Sequence, residues 1–177
     1  MIDETRMTLA VDWKTTDVTG WFFSEKIWDC RAYWQDGEFW TRGGNLIKAP
    51  KWFRRGMPKA DVDGGIYAGR RGFQTASNAV RLGGHWFDDG AIQFIPFDFP
   101  QMTGTWDKRI TEANRALRGS AAGGALKFWR VREYKDWIDY MLKIRPLGGE
   151  GVCFRNPEIK TYETGRSETL LRFKFLN

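Results

Sequence analysis

Lys26 sits in the run Ser24-Glu25-Lys26-Ile27-Trp28-Asp29-Cys30-Arg31, an amine beside an apolar wall with an arginine five residues on. An amine attacks only without its proton, and desolvation next to Phe23, Ile27 and Trp28 with a nearby cation favours the neutral form. Further along the chain, Asp63, Asp98 and Glu150 supply carboxylates suited to a hard divalent ion. The run Leu170-Leu171-Arg172-Phe173-Lys174-Phe175 alternates apolar and cationic residues, which puts Arg172 and Lys174 on one face of a strand. An amine nucleophile, carboxylates for magnesium or manganese, and fixed cations facing phosphate oxygens are the parts of a nucleotidyl-transfer site.

Other chemistries are poorly supplied. Cys30 and Cys153 are the two cysteines and His85 is the single histidine, too few for a zinc site or a disulfide framework. No long apolar run is present, and the acidic start Met1-Ile2-Asp3-Glu4-Thr5 does not resemble a leader. The expectation is a cytoplasmic protein with no membrane partner. A formal charge of +6 suits a polyanion, and Trp40-Thr41-Arg42 and Lys51-Trp52-Phe53-Arg54-Arg55 interleave cations with aromatics, as a nucleic-acid surface does.

The elements that must position these groups follow from pattern. A length of 177 residues with 42% hydrophobic content fits one domain with a sizeable core. Alternation from Trp21 to Trp40, broken at Gln35-Asp36-Gly37-Glu38, predicts a β-hairpin with Lys26 on its first strand. Ala60–Tyr67 reads as a strand with a glycine pair, and Ile92–Pro100 as an apolar strand that Pro96 confines to an edge or bulge. Helices are expected at Phe73–Leu82, stopped by Gly83-Gly84, at Thr105–Leu117, and at Arg132–Ile144 with Trp137, Ile138, Met141 and Leu142 on its apolar face. Gly151–Arg155 and the last run complete the strands.

Taken in order, these blocks resemble the nucleotidyltransferase domain of ATP-dependent DNA ligases of the small bacterial and phage type. Glu25-Lys26 through Arg31 is similar to the family's KxDGxR motif, and Val62-Asp63-Gly64-Gly65-Ile66-Tyr67-Ala68-Gly69-Arg70 to its LDGELWAGR motif. Phe94–Pro100, Glu150-Gly151-Val152 and Leu170-Leu171-Arg172-Phe173-Lys174 resemble three later motifs. The resemblance spans nearly the whole chain and implies an α+β domain of two mainly antiparallel β-sheets with flanking helices, forming a nucleotide-binding groove. It also implies that residues 1–177 are the adenylation domain, with no C-terminal oligonucleotide-binding fold, acting as a monomer.

By the same resemblance Lys26 forms a lysyl-AMP with ATP, and the AMP activates a 5′-phosphate at a nick in duplex DNA, which a 3′-hydroxyl then seals. Glu25, Arg31, Arg42, Phe97, Glu150, Arg172 and Lys174 would bind the nucleotide, with Phe97 stacked on adenine. Glu150 and Asp63 would hold Mg2+ or Mn2+, and Arg42, Lys51, Arg54 and Arg55 would meet DNA. Three positions depart from the pattern: Trp28-Asp29 stands where the family has Asp-Gly, and Gly65 where it has Glu. Adjacent residues on a strand face opposite sides, so Asp29 replaces the carboxylate missing at position 65 only if the backbone bulges, and a gain in activity from Gly65→Glu would show that the missing carboxylate limits the reaction. A chain that keeps the fold but binds nucleic acid without catalysis is the rival reading.

Overall fold

The computed structural model describes residues 6–175; Met1–Thr5, read above against a leader, lie outside the described residues. Two five-stranded sheets face each other across a cleft. The first contains β1 (Thr8–Asp12), β2 (Phe22–Lys26), β8 (Phe128–Arg130), β9 (Gly151–Arg155) and β10 (Gly165–Lys174), in the order β1-β10-β9-β2-β8. The second contains β3 (Cys30–Gln35), β4 (Glu38–Thr41), β5 (Leu46–Ile47), β6 (Val62–Tyr67) and β7 (Gln93–Asp98), in the order β5-β4-β3-β6-β7. Only the β1–β10 pair among these is parallel, so both sheets are mainly antiparallel, as expected.

Four α-helices complete the fold: α1 (Lys51–Arg54), α2 (Phe73–Leu82), α3 (Trp106–Ala116) and α4 (Tyr134–Ile144). α2 has the bounds its composition predicts, and the other two predicted helices match to within two residues. Leu142 is the exception on α4. It is 62% exposed, while Trp137, Met141 and Ile144 carry the buried face. Pro96 does sit on an edge strand, opposite Gly64 beside a register shift, where its missing N–H costs no ladder bond.

The hairpin prediction is half right. β3 and β4 pair through a two-residue turn in which Asp36 and Gly37 both have positive φ (53° and 81°), the geometry that matches strand twist. β2, however, belongs to the other sheet. Alternation runs on through residues 27–29, but there the chain leaves β-structure and crosses between sheets, with the Asp29 N–H donating to the Ile27 carbonyl at 3.1 Å.

Each sheet has its own apolar packing. Ala32, Trp34, Phe39, Val62, Ile66 and Phe94 form the core of the second sheet with α2 and α3, and Phe23, Val152, Phe154 and Leu171 pack under α4. With those faces buried, the opposite faces of β2, β9 and β10 on one side and β3 and β6 on the other turn toward the cleft.

Candidate active site

Lys26 ends β2 on the cleft face, in register with Gly151 of β9, which is in turn opposite Lys174 of β10. Because the middle residue is glycine, no side chain separates the two lysines. Glu150, only 6% exposed, reaches both: its Oε1 accepts from Lys26 Nζ at 2.6 Å and from Lys174 Nζ at 3.1 Å. Arg172, two residues back on the same face, donates to Asp12 at 2.5 Å. The predicted shared face of Arg172 and Lys174 is therefore present, with each cation held by a carboxylate.

Beside this row lies a cavity of about 230 Å³ lined by Ser24, Lys26, Asp29, Arg31, Arg42, Phe97, Arg155, Arg166 and Arg172, with Leu9, Leu126 and Leu170 on its apolar walls. Six cations and few carboxylates line it, so its interior favours a polyanion. Arg155 and Arg166 were not read from the sequence. Arg155 had a signal, since it alternates with Cys153 and Gly151 on the strand beside Lys26. Arg31 lies over the Phe97 ring at 5.3 Å from its centroid, so the aromatic and the guanidinium close one end of the cavity together.

Two carboxylates assigned to metal or nucleotide are already committed. Asp63 is fully buried and accepts from Arg31 Nε at 2.7 Å, from Arg31 Nη2 at 2.5 Å and from the Tyr162 hydroxyl at 2.7 Å. Both oxygens are thus engaged, and Asp63 clamps Arg31, whose Nη2 also donates to the Thr8 carbonyl at 2.9 Å. Burial and the adjoining Asp63 push the Tyr162 hydroxyl's proton affinity up, which keeps it a donor. Asp98 is consumed likewise, by Arg109 at 2.7 and 3.0 Å.

The Glu25 carboxylate, by strand alternation, leaves β2 on the face opposite Lys26. Arg70 donates to it twice at 2.8 Å and the Tyr140 hydroxyl once at 2.9 Å. It borders the cavity at the base of β2, with its carboxylate oxygens held by Arg70 and Tyr140. Among the described residues no group of three or more His, Cys, Asp or Glu could hold a metal.

The departures at Trp28, Asp29 and Gly65 prove to be linked. Trp28 does not line the cavity; its indole turns outward and meets Phe73 at the start of α2, edge to face, 6.2 Å between centroids. Asp29 turns inward instead, because the turn at 27–29 removes it from strand alternation. A Cβ added to Gly65 would collide with the Asp29 carboxylate. The backbone does leave the strand at 27–29, the condition under which Asp29 could stand in for the missing carboxylate, and the space that a Gly65→Glu side chain would need is filled. Burial pushes the Asp29 carboxyl up to about 6, against the pull of Arg31 and Lys26 and with a push from Glu150.

Of the cations assigned to DNA, Lys51 and Arg55 are exposed, as is Arg42 at the cavity rim. Arg54 is less available, since Glu38 and the Gly37 carbonyl accept from it.

The whole backbone arrangement is known in other proteins. A solved Lig E DNA ligase, described as binding DNA with a minimal scaffold, superposes over 99% of this chain and 70% of its own, with TM-score 0.84 and 24% identity. The fold is that of a DNA ligase adenylation domain. Chlorella virus DNA ligase-adenylate matches 96% of the chain and 69% of its own at TM-score 0.78 and 20% identity. The ATP-dependent DNA ligase of bacteriophage T7, in complex with ATP, matches 97% and 69% at TM-score 0.71 and 14% identity.

In sequence, a DNA ligase from Haemophilus influenzae is 26% identical over 161 residues, 89% of this chain, and the chain spans 59% of that relative's length. No family model matches the sequence. No helix among the described residues is long and apolar enough to cross a membrane. Within the adenylation-domain fold, the expected α+β architecture with its cleft is borne out.

Proposed function

We propose that this chain is the adenylation domain of an ATP-dependent DNA ligase, with Lys26 as the nucleophile. Lys26 Nζ, after losing its proton, attacks the α-phosphorus of ATP; the P–N bond forms as the bond to the bridging oxygen breaks and pyrophosphate departs. The AMP then passes from nitrogen to a 5′-phosphate oxygen at a nick, and the adjacent 3′-hydroxyl displaces it, closing the strand and releasing AMP.

The observation that carries this reading is the row Lys26–Gly151–Lys174 bridged by Glu150, at the mouth of a cavity lined by Arg31, Arg155, Arg166 and Arg172. A nucleophilic amine and several fixed cations converge on one gap, which suits transfer of a phosphorus centre. Phe97, at the end shared with Arg31, offers its ring to the base, and Arg42, Arg172 and Lys174 face the phosphates. The donor set fits magnesium, which commonly takes one or two carboxylates and completes its shell with phosphate oxygens and water. Glu150 is the residue that would hold it, and the ion would supply neutralisation of charge on the phosphate oxygens.

Exposed Arg42, Lys51 and Arg55 are assigned to phosphates of nicked duplex DNA, with Arg54 partly spent on Glu38. The reading carries with it a monomer working in the cytoplasm, where ATP and DNA meet. Incubation with magnesium and α-labelled ATP, followed by denaturation, should leave label on the wild-type chain and none on Lys26→Ala. Absence of label in both magnesium and manganese overturns the proposal. Binding to a nicked duplex should weaken linearly in the logarithm of salt concentration, with a shallower slope once Lys51 and Arg55 are neutralised.

A further inference from the structure

Asp29 is an unusual occupant of a cavity otherwise dominated by cations. Its carboxylate lies where a side chain at Gly65 would stand, across the ladder from Arg31 and next to the apolar Ile27. Among the described residues no side chain donates to it, whereas Asp12, Asp63, Asp98, Glu25 and Glu150 each have a cationic partner. An acceptor pointed into a cavity without a side-chain donor is placed to take one from a ligand.

Resting on the reading above, the nucleotide's order within the cavity is constrained. Lys26 marks the α-phosphate and Phe97 the base, so the sugar lies between them. Asp29 is three residues from Lys26 along the chain, and Arg31, two residues further on, covers Phe97. A carboxylate repels phosphate oxygens and accepts from O–H groups. The ribose hydroxyls are the nucleotide donors closest to the α-phosphorus.

We propose that Asp29 accepts a hydrogen bond from a ribose hydroxyl of the bound nucleotide, its carboxylate delivered from the β2–β3 link into the space kept open by Gly65. Gly65 and Asp29 are then one device. The acid enters from the link between sheets, the strand gives up its side chain to admit it, and Trp28 is turned out onto α2 as the link reverses.

The test is binding, so that it does not depend on turnover. Wild type, Asp29→Ala and Asp29→Asn are titrated calorimetrically with ATP, 2′-deoxy-ATP and 3′-deoxy-ATP in EDTA, with far-ultraviolet circular dichroism confirming that each is folded. Wild type should bind at least one deoxy nucleotide roughly ten- to a hundredfold more weakly than ATP, the size of a hydrogen bond to a charged acceptor. Asp29→Ala should bind all three alike, at the weaker level.

Two further variants keep the idea exposed. Gly65→Glu should bind ATP more weakly than wild type, and Asp29→Gly in that background should recover at least tenfold by clearing the collision. Equal discrimination by wild type and Asp29→Ala overturns the inference, as does a Gly65→Glu variant that binds ATP as well as wild type, or a wild type that binds no ATP. Binding with the predicted discrimination but no label on Lys26 would instead overturn the ligase reading alone.

Discussion

Replacing Asp29 by asparagine should stabilise the protein above neutral pH while weakening its grip on nucleotide. Burial raises the Asp29 carboxyl from 3.8 to about 6, so the folded chain holds a proton that the unfolded chain, with an ordinary carboxyl near 3.9, has already released. Between those values the folded state binds more protons, and its stability therefore falls as pH rises. The rise corresponds to roughly 3 kcal/mol at about 1.4 kcal/mol per tenfold change in proton affinity. Asp29 is partly open to the cavity, which lowers the expected figure to about 1–3 kcal/mol.

The charged groups facing Asp29 are Arg31, Lys26 and Glu150, and all three remain in the variant. Asp29→Asn keeps the shape and loses the charge. Its advantage over wild type should be near zero at pH 4, grow through pH 5 and 6, and level off above about pH 7. Urea unfolding at each pH, in EDTA without nucleotide, reads this directly, and an unchanged dependence on urea would show that the same surface is exposed. Carboxylates remote from Asp29 titrate equally in both proteins and cancel, which leaves Glu150 as the one neighbour whose titration the substitution also touches. An advantage that is absent at pH 8, or largest at pH 4, would refute the reasoning.

Removing one member of the Asp98–Arg109 pair, both nearly fully buried, leaves the other charge stranded, and Asp98→Ala should cost about 3–5 kcal/mol in urea unfolding. Gly37→Ala should cost about 1–2 kcal/mol by the same measurement, since φ there is +81° and a Cβ disfavours that conformation. Trp28→Ala should leave the rate of label transfer to Lys26 within about threefold of wild type, because the indole packs on Phe73 outside the cavity; a loss beyond about thirtyfold would place Trp28 in the site after all. Tyr162→Phe, which removes a donor to buried Asp63, should cost about 1–2 kcal/mol in stability, whereas Asp63→Ala should also weaken ATP binding measurably by calorimetry, because it releases Arg31.

What could be read from the sequence was what local pattern controls. α2 is bounded by Phe73 and Gly83 because the glycine at its end adopts positive φ, a signal carried by one residue. The β3–β4 turn and the edge position of Pro96 were legible for the same kind of reason. The partition of β2 and β3 between two sheets was not, since residues 21–40 keep alternating while a three-residue link redirects the chain. Nor could sequence tell which carboxylates are spent. Asp63, Asp98 and Glu25 look as suitable for a ligand as Glu150 does, and only the structure shows that Arg31, Arg109 and Arg70 engage both oxygens of each, whereas Lys26 and Lys174 share one oxygen of Glu150. The direction of Asp29 hangs on a break in the strand that alternation does not show, since the chain has left β-structure at 27–29.

The link at 27–29 also sets a mechanical limit. Lys26 ends β2 in one sheet and Cys30 begins β3 in the other, four chain steps apart, and a backbone that short spans at most about 14 Å when fully stretched. However far the two sheets part to admit a ligand, the end of β2 and the start of β3, the central strand of its sheet, stay tethered at this seam. The nucleophile and the acid three residues away travel with the binding of a book, and the pages turn around them.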